Sequence, residues 1–146
     1  MANGFTTKPP RRLTIIAIVL ALWGAMGVFA FYGDATMSAA KLAAMPEWDR
    51  QFYATRPGWF VWAYGIATWA GLAGAVLLLL RRALAVPAFA VSLLAALVQF
   101  GFVFAATDLV AVKGAAATVP FPLFILAVAI FQLWFATDAR RRGWLR

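Results

Sequence analysis

Gln99 and Gln132 are the polar side chains best placed to do chemistry in this chain, because each lies deep inside a long apolar stretch. An amide buried in hydrocarbon without a partner is costly, so each calls for a hydrogen bond from protein or ligand. Trp23 and Trp69 fall near the middle of two other apolar stretches, deeper than the headgroup belt where tryptophan usually sits, and an indole N–H there needs an acceptor that either glutamine can supply. Two readings follow from these four residues. They form inter-helix hydrogen bonds that lock a bundle, or they line a pocket in which aromatic faces and amides hold a small hydroxylated ligand. From helical rise, Gln99 lies about 12 Å and Gln132 about 20 Å from the same end of their segments, so the two are not expected to bond each other.

Other chemistries are excluded. The sequence holds no cysteine and no histidine, which removes disulfides, thiol redox chemistry, iron-sulfur ligation, histidine-held haem and most zinc or copper sites. Asp34, Glu47, Asp49, Asp108 and Asp138 all lie outside the interiors of the apolar stretches, as does every lysine and arginine. Ion coupling through a membrane-embedded acid therefore has no residue to carry it. Paired carboxylates, a nucleophile elbow, a phosphate-binding glycine loop and metal-ligand spacings are also missing, so neither enzymatic activity nor a cofactor is expected.

The elements that must position these residues are four apolar runs, residues 13–32, 58–80, 83–106 and 119–137. At about 1.5 Å of rise per residue each can cross a hydrocarbon core of about 30 Å. With 65% hydrophobic residues and a mean hydropathy of +0.86, a soluble domain is excluded, and residues 1–146 read as one membrane domain. The first run is too long for a secretory signal, although Val28, Phe29 and Ala30 resemble a cleavage site, and it reads as an uncleaved span. Lys8, Arg11, Arg12, Arg81, Arg82, Arg140, Arg141, Arg142 and Arg146 fall on one side of the four spans, with only Asp138 against them. On the other side Lys41, Arg50, Arg56 and Lys113 are balanced by Asp34, Glu47, Asp49 and Asp108, so the whole formal charge of +8 sits at one end. The positive-inside rule then predicts an antiparallel four-helix bundle with both termini cytoplasmic, anchored by Arg11, Arg12, Arg81, Arg82, Arg140, Arg141 and Arg142 against anionic headgroups. The same flanks offer no platform for nucleic acid.

Residues 1–10 read as a disordered lead. In the outer loop, residues 33–57, Ser38 is suited to cap one short helix and Pro46 to open another. Trp48, Phe52 and Tyr53, at helical spacing, then form an amphipathic interfacial segment, with a substrate lid as the alternative, and Trp59 and Trp62 are further interface anchors. Arg81 and Arg82 alone separate the second and third spans, which forces a hairpin. Pro87, about one turn into the third span, is tolerated with a slight kink. Ala67, Gly71 and Ala75 make a smooth packing face, and Gly24 with Gly27 a weaker notch. Laying Arg11 and Arg12 on Arg81 and Arg82 reveals no further repeat, and no inverted repeat of the transporter kind is visible.

Several stretches together resemble a family of small bacterial inner-membrane proteins with four spans that often carries the label "sugar transporter". They are LWGAMGVFAFYG from Leu22, MSAAKLAAMPEWDRQFYATRPGW from Met37, AGLAGAVLLLLRRALAVPAFAVSLLAALVQ from Ala70 and FATDARRRGWLR from Phe135. The resemblance implies that Trp23, Gly27, Pro46, Pro57, Trp59, Gly71, Arg81, Arg82, Ser92, Gln99, Gly143 and Trp144 occupy pattern positions; Leu84 stands where similar sequences have an aromatic residue. Two functions are expected from these readings. One is an accessory packing subunit that associates with itself or with a larger membrane complex among the lipids. The other is a dimeric transporter of a small neutral solute such as a sugar.

Overall fold

Each apolar run, free of interior charge and interior turn signals, forms one long helix. The computed structural model describes residues 8–146; most of the expected lead, residues 1–7, lies outside the described residues. In chain order the helices are α1 (Arg11–Ala35), α2 (Ala39–Ala43), α3 (Glu47–Thr55), α4 (Trp59–Leu79), α5 (Ala85–Ala106), α6 (Leu109–Lys113), α7 (Ala115–Thr118) and α8 (Pro120–Arg141). α1, α4, α5 and α8 are each long and apolar enough to cross a membrane, which makes this an all-α four-helix membrane bundle and a multi-pass integral membrane protein.

α1 packs on α4, α4 on α5 and α5 on α8, so the four helices follow one another round the bundle. Large side chains on the outward faces, such as Phe29 at 82% and Trp62 at 75% exposure, turn toward the surroundings, as expected where the solvent is lipid. The close approach of α4 to both neighbours depends on glycine. A Cβ on Gly24 would lie 2.9 Å from the Leu72 Cα, and one on Gly74 would lie 2.6 Å from the buried Phe89 ring. The Gly71 notch is filled by Ser92, whose Oγ donates to the Ala67 carbonyl at 2.6 Å and ties α5 to α4.

The hairpin between α4 and α5 turns as its length requires. Arg82 N–H donates to Leu77 C=O at 2.8 Å and Arg81 N–H to Leu78 C=O at 3.0 Å, a Schellman pattern with Arg81 in the left-handed region at φ 57°. The same pattern ends α8. Trp144 N–H donates to Ala139 C=O and Gly143 N–H to Arg140 C=O, with Gly143 at φ 75°. That turn sends residues 144–146 back across the bundle, where Arg146 N–H donates to Arg81 C=O at 2.7 Å and Ala83 N–H to Arg146 C=O at 2.6 Å. Trp144 and Leu145 are buried against Leu13, Ala17, Leu78, Phe89, Phe135 and Ala139, while Arg12 and Arg142 each lie 5.4 Å from the Trp144 ring. All four long helices converge here. This arginine end is the tightly packed end of the molecule.

Boundaries differ from expectation in places. α8 continues past residue 137 to Arg141, since nothing in that stretch breaks a helix and Asp138 pairs with Arg142 at 2.8 Å. Pro87 falls in the first turn of α5, where its missing N–H removes no intrahelical bond and no kink is required. Ser38 caps α2 by accepting from Lys41 N–H at 3.2 Å, but Pro46 sits one position before α3 rather than inside its first turn. Residues 107–118, the connection between the third and fourth apolar runs, contain α6 and α7 on either side of Gly114 at φ 85°.

Candidate functional site

A cavity of about 230 Å³ occupies the half of the bundle nearer the loops, above the packed arginine end. Helical spacing brings its walls together. Trp23, Gly24 and Gly27 come from α1, Tyr64, Ala67, Thr68 and Gly71 from α4, Ser92, Ala96 and Gln99 from α5, and Ile125, Ala129 and Gln132 from α8. These positions recur at three- and four-residue intervals, so each helix turns one face to the space. The glycines and alanines hold the walls back from the centre. Among the described residues, no Asp, Glu, Lys or Arg lines it.

Gln99 and Gln132 are 7% and 3% exposed, and neither carboxamide has a hydrogen-bond partner among the described residues. Their polar atoms remain open to the cavity rather than sealed in protein. An amide at this depth makes its hydrogen bonds only to what the space holds, water or a ligand. The two amides also do not bond each other, as their difference in depth predicts; they face the same elongated space, roughly 8 Å apart along it by helical rise. Ser92 and Thr68 contribute acceptors only. Their hydroxyl hydrogens go to Ala67 C=O at 2.6 Å and to Tyr64 C=O at 3.0 Å, leaving oxygen lone pairs toward neighbours.

No family model, curated protein or solved structure matches the chain. The site is therefore read from its own chemistry.

Of the four residues singled out in the sequence, Trp23, Gln99 and Gln132 line this cavity and Trp69 does not. Trp69 lies on the lipid face at 47% exposure, edge-on to Tyr32 with centroids 6.3 Å apart. Trp23 packs edge-on against Phe124 of α8 at 5.6 Å, and no hydrogen bond to its indole is found among the described residues. Gly24, Gly27, Ala67 and Gly71 border the cavity, whereas Ala75 belongs to the packed core below it. Ser92 and Thr68 are additions that a search confined to amides passed over; the signal for Ser92 was its place one and two turns before Ala96 and Gln99 on a single helix face.

The loop end is covered by α3, which is clamped at both ends. Arg56 meets Asp34 at the end of α1 with both nitrogens, Nη1 to Oδ1 at 3.1 Å and Nη2 to Oδ2 at 2.9 Å, and Tyr53 Oη donates to Asp34 Oδ1 at 2.5 Å. The Arg56 guanidinium lies 4.3 Å from the Tyr53 ring centre. Burial, then the hydrogen bond to Asp34, push the Tyr53 phenol up to about 12. At the other end of α3, Trp48 Nε1–H donates to Asp108 at 2.7 Å, and Lys113 pairs with Asp49 at 2.7 Å. Trp48 stacks on Phe52 at 5.3 Å, and Phe52 reaches Phe60 of α4. The aromatic side chains of this segment thus pack onto the bundle itself as well as facing its surroundings. Trp59 packs on Phe102 at 5.2 Å at the same level, and Trp62 points outward.

Proposed function

We propose that this protein binds a small uncharged ligand inside its helix bundle. The observation that carries the reading is the pair of buried carboxamides, Gln99 and Gln132, turned into one uncharged cavity without a protein partner among the described residues. A charged ligand would find no counter-charge there, and the cost of burying it would fall on the complex. An accessory packing role asks only for smooth helix faces and gives these amides nothing to do. The carrier role implied by the "sugar transporter" label of the similar family rests on the same cavity and shares its test.

Replacing Gln99 or Gln132 with leucine separates the readings. A ligand-facing amide makes no bond in the empty bundle, so each variant keeps its unfolding midpoint or gains up to about 1 kcal/mol while ligand binding or uptake falls. A fall in stability with binding intact identifies the glutamines as structural and overturns the proposal.

We further place the protein in a bacterial inner membrane with its arginine end in the cytoplasm. The charge asymmetry supports this, as does the resemblance to bacterial four-span proteins. The chain has no cysteine, so single substitutions report cleanly. Met45→Cys in whole cells reacts with a membrane-impermeant maleimide and Arg82→Cys does not; the opposite pattern inverts the orientation.

A further inference from the structure

We propose that the occupant of this cavity is an uncharged lipid whose head carries carbonyl and hydroxyl oxygens, entering sideways from the bilayer between α1 and α8. The inference rests on the ligand-binding reading above and adds the class of ligand and its route.

The route follows from which lining residues also face outward. Met26 on α1 and Phe121 on α8 both border the cavity, yet they are 64% and 66% exposed on the apolar surface. The space therefore reaches the surface between these two helices, where lipid chains lie. α1 and α8 are the pair that closes the ring of the bundle, and above the core at the arginine end they meet through the edge-on Trp23 and Phe124 rings rather than by close backbone packing. Toward the arginine end the way is blocked by the packed cluster that includes Leu20, Phe89 and Phe135. Along the α1 and α4 side toward the loops, Phe31 fills the space beside Gly65 and packs on Tyr64 at 5.5 Å, one turn below the Asp34 clamp.

The head group follows from the polar inventory. Each carboxamide offers an N–H pair and a carbonyl oxygen, so it can donate to a ligand carbonyl or accept from a ligand hydroxyl. Ser92 and Thr68 have spent their hydrogens on backbone carbonyls and only accept. The rest of the wall is apolar or aromatic, apart from the Tyr64 phenol and the Trp23 indole N–H. A sugar, with a hydroxyl on nearly every carbon, would bury several of them against Ile125, Phe100 and Ala129 without partners, a net cost. A lipid head with two or three oxygens matches two amides, and its chains continue through the opening into hydrocarbon.

Trp23, at the opening, reports entry. The protein is reconstituted in phosphatidylcholine vesicles, and its tryptophan quenching by diacylglycerol with brominated chains is compared with that by brominated phosphatidylcholine at equal bromine content. The difference between wild type and Trp23→Phe isolates Trp23. The expected result is quenching of Trp23 that saturates at low diacylglycerol content, lies above the phosphatidylcholine curve, and shifts to about five- to tenfold higher content in Gln99→Leu. Gln132→Leu, on the neighbouring helix α8, gives the same reading should Gln99→Leu fail to fold. Identical curves for the two lipids, with glucose in the buffer relieving the quenching, overturn the lipid assignment and leave an uncharged ligand standing. Identical curves with no effect of glucose overturn the lipid assignment, and lowered stability of both Gln99→Leu and Gln132→Leu then overturns the ligand-binding reading with it.

Discussion

Tyr53 carries the clearest pH signature in the molecule. Its phenol is held at about 12 against an ordinary 10.0, so the folded state keeps a proton that the unfolded chain releases between these values. The stabilisation is fully present below pH 10.0 and is lost as pH rises through about 12. The expected measurement is a phenolate absorbance titration, in which the difference between wild type and Tyr53→Phe rises late. In Asp34→Asn it rises earlier, but only part of the way back, because burial is the larger cause and the substitution removes the charge while leaving a weaker, neutral acceptor. Gly74 gives a second test at this scale. Alanine there would meet the Phe89 ring, which is fully buried and has nowhere to go, so Gly74→Ala is expected to cost about 1–3 kcal/mol in detergent unfolding. Gly33→Ala serves as the control, because a Cβ there meets nothing within 4 Å.

Among the elements, the turn after α8 and the clamped α3 are the ones whose roles go beyond crossing the membrane. Gly143 at φ 75° is required by the Schellman turn that docks Trp144 and Leu145. Gly143→Ala is expected to cost about 1 kcal/mol. It should also raise protease sensitivity near Trp144, since the turn and the docked residues share one geometry; an unchanged digest would separate them. Helix α3 is held by two ion pairs and the Trp48 hydrogen bond. Trp48→Phe keeps the stack on Phe52 and loses only the bond to Asp108. Faster amide exchange confined to α3 and α6 is the expected outcome. What the sequence made legible here was local: Ser38 as a cap and helical spacing of Trp48 and Phe52. The long-range partners Asp34, Asp108 and Lys113 were not, because pairing across loops depends on how the helix ends are arranged in space, and nothing local encodes it.

For the whole molecule, the number of spans, their antiparallel succession and the concentration of arginine at one end were all readable, because length, hydropathy and charge are summed over many residues and survive local error. The site was readable in part. Gln99, Gln132 and Trp23 stood out by cost, since a polar group in hydrocarbon is conspicuous wherever it points. Trp69 stood out by the same depth criterion and yet faces lipid, because α4 turns a different side to the bundle at that position. Rotation of a helix about its axis is weakly written in an all-apolar run, where every face satisfies the membrane equally. The docking of residues 144–146 was likewise invisible; Gly143 and Trp144 stood only as pattern positions of the resemblance.

That docking sets an order of events during biosynthesis. Leu13 and Ala17 are synthesised before α8, and the cluster they share with Phe135, Ala139 and Trp144 cannot form until α8 and the turn after it have been made. The α1–α4 and α4–α5 contacts need no part of α8 and are free to form first, while the face of α1 that carries Leu13 and Ala17 waits in lipid. Closure of the arginine end thus follows the rest of the bundle.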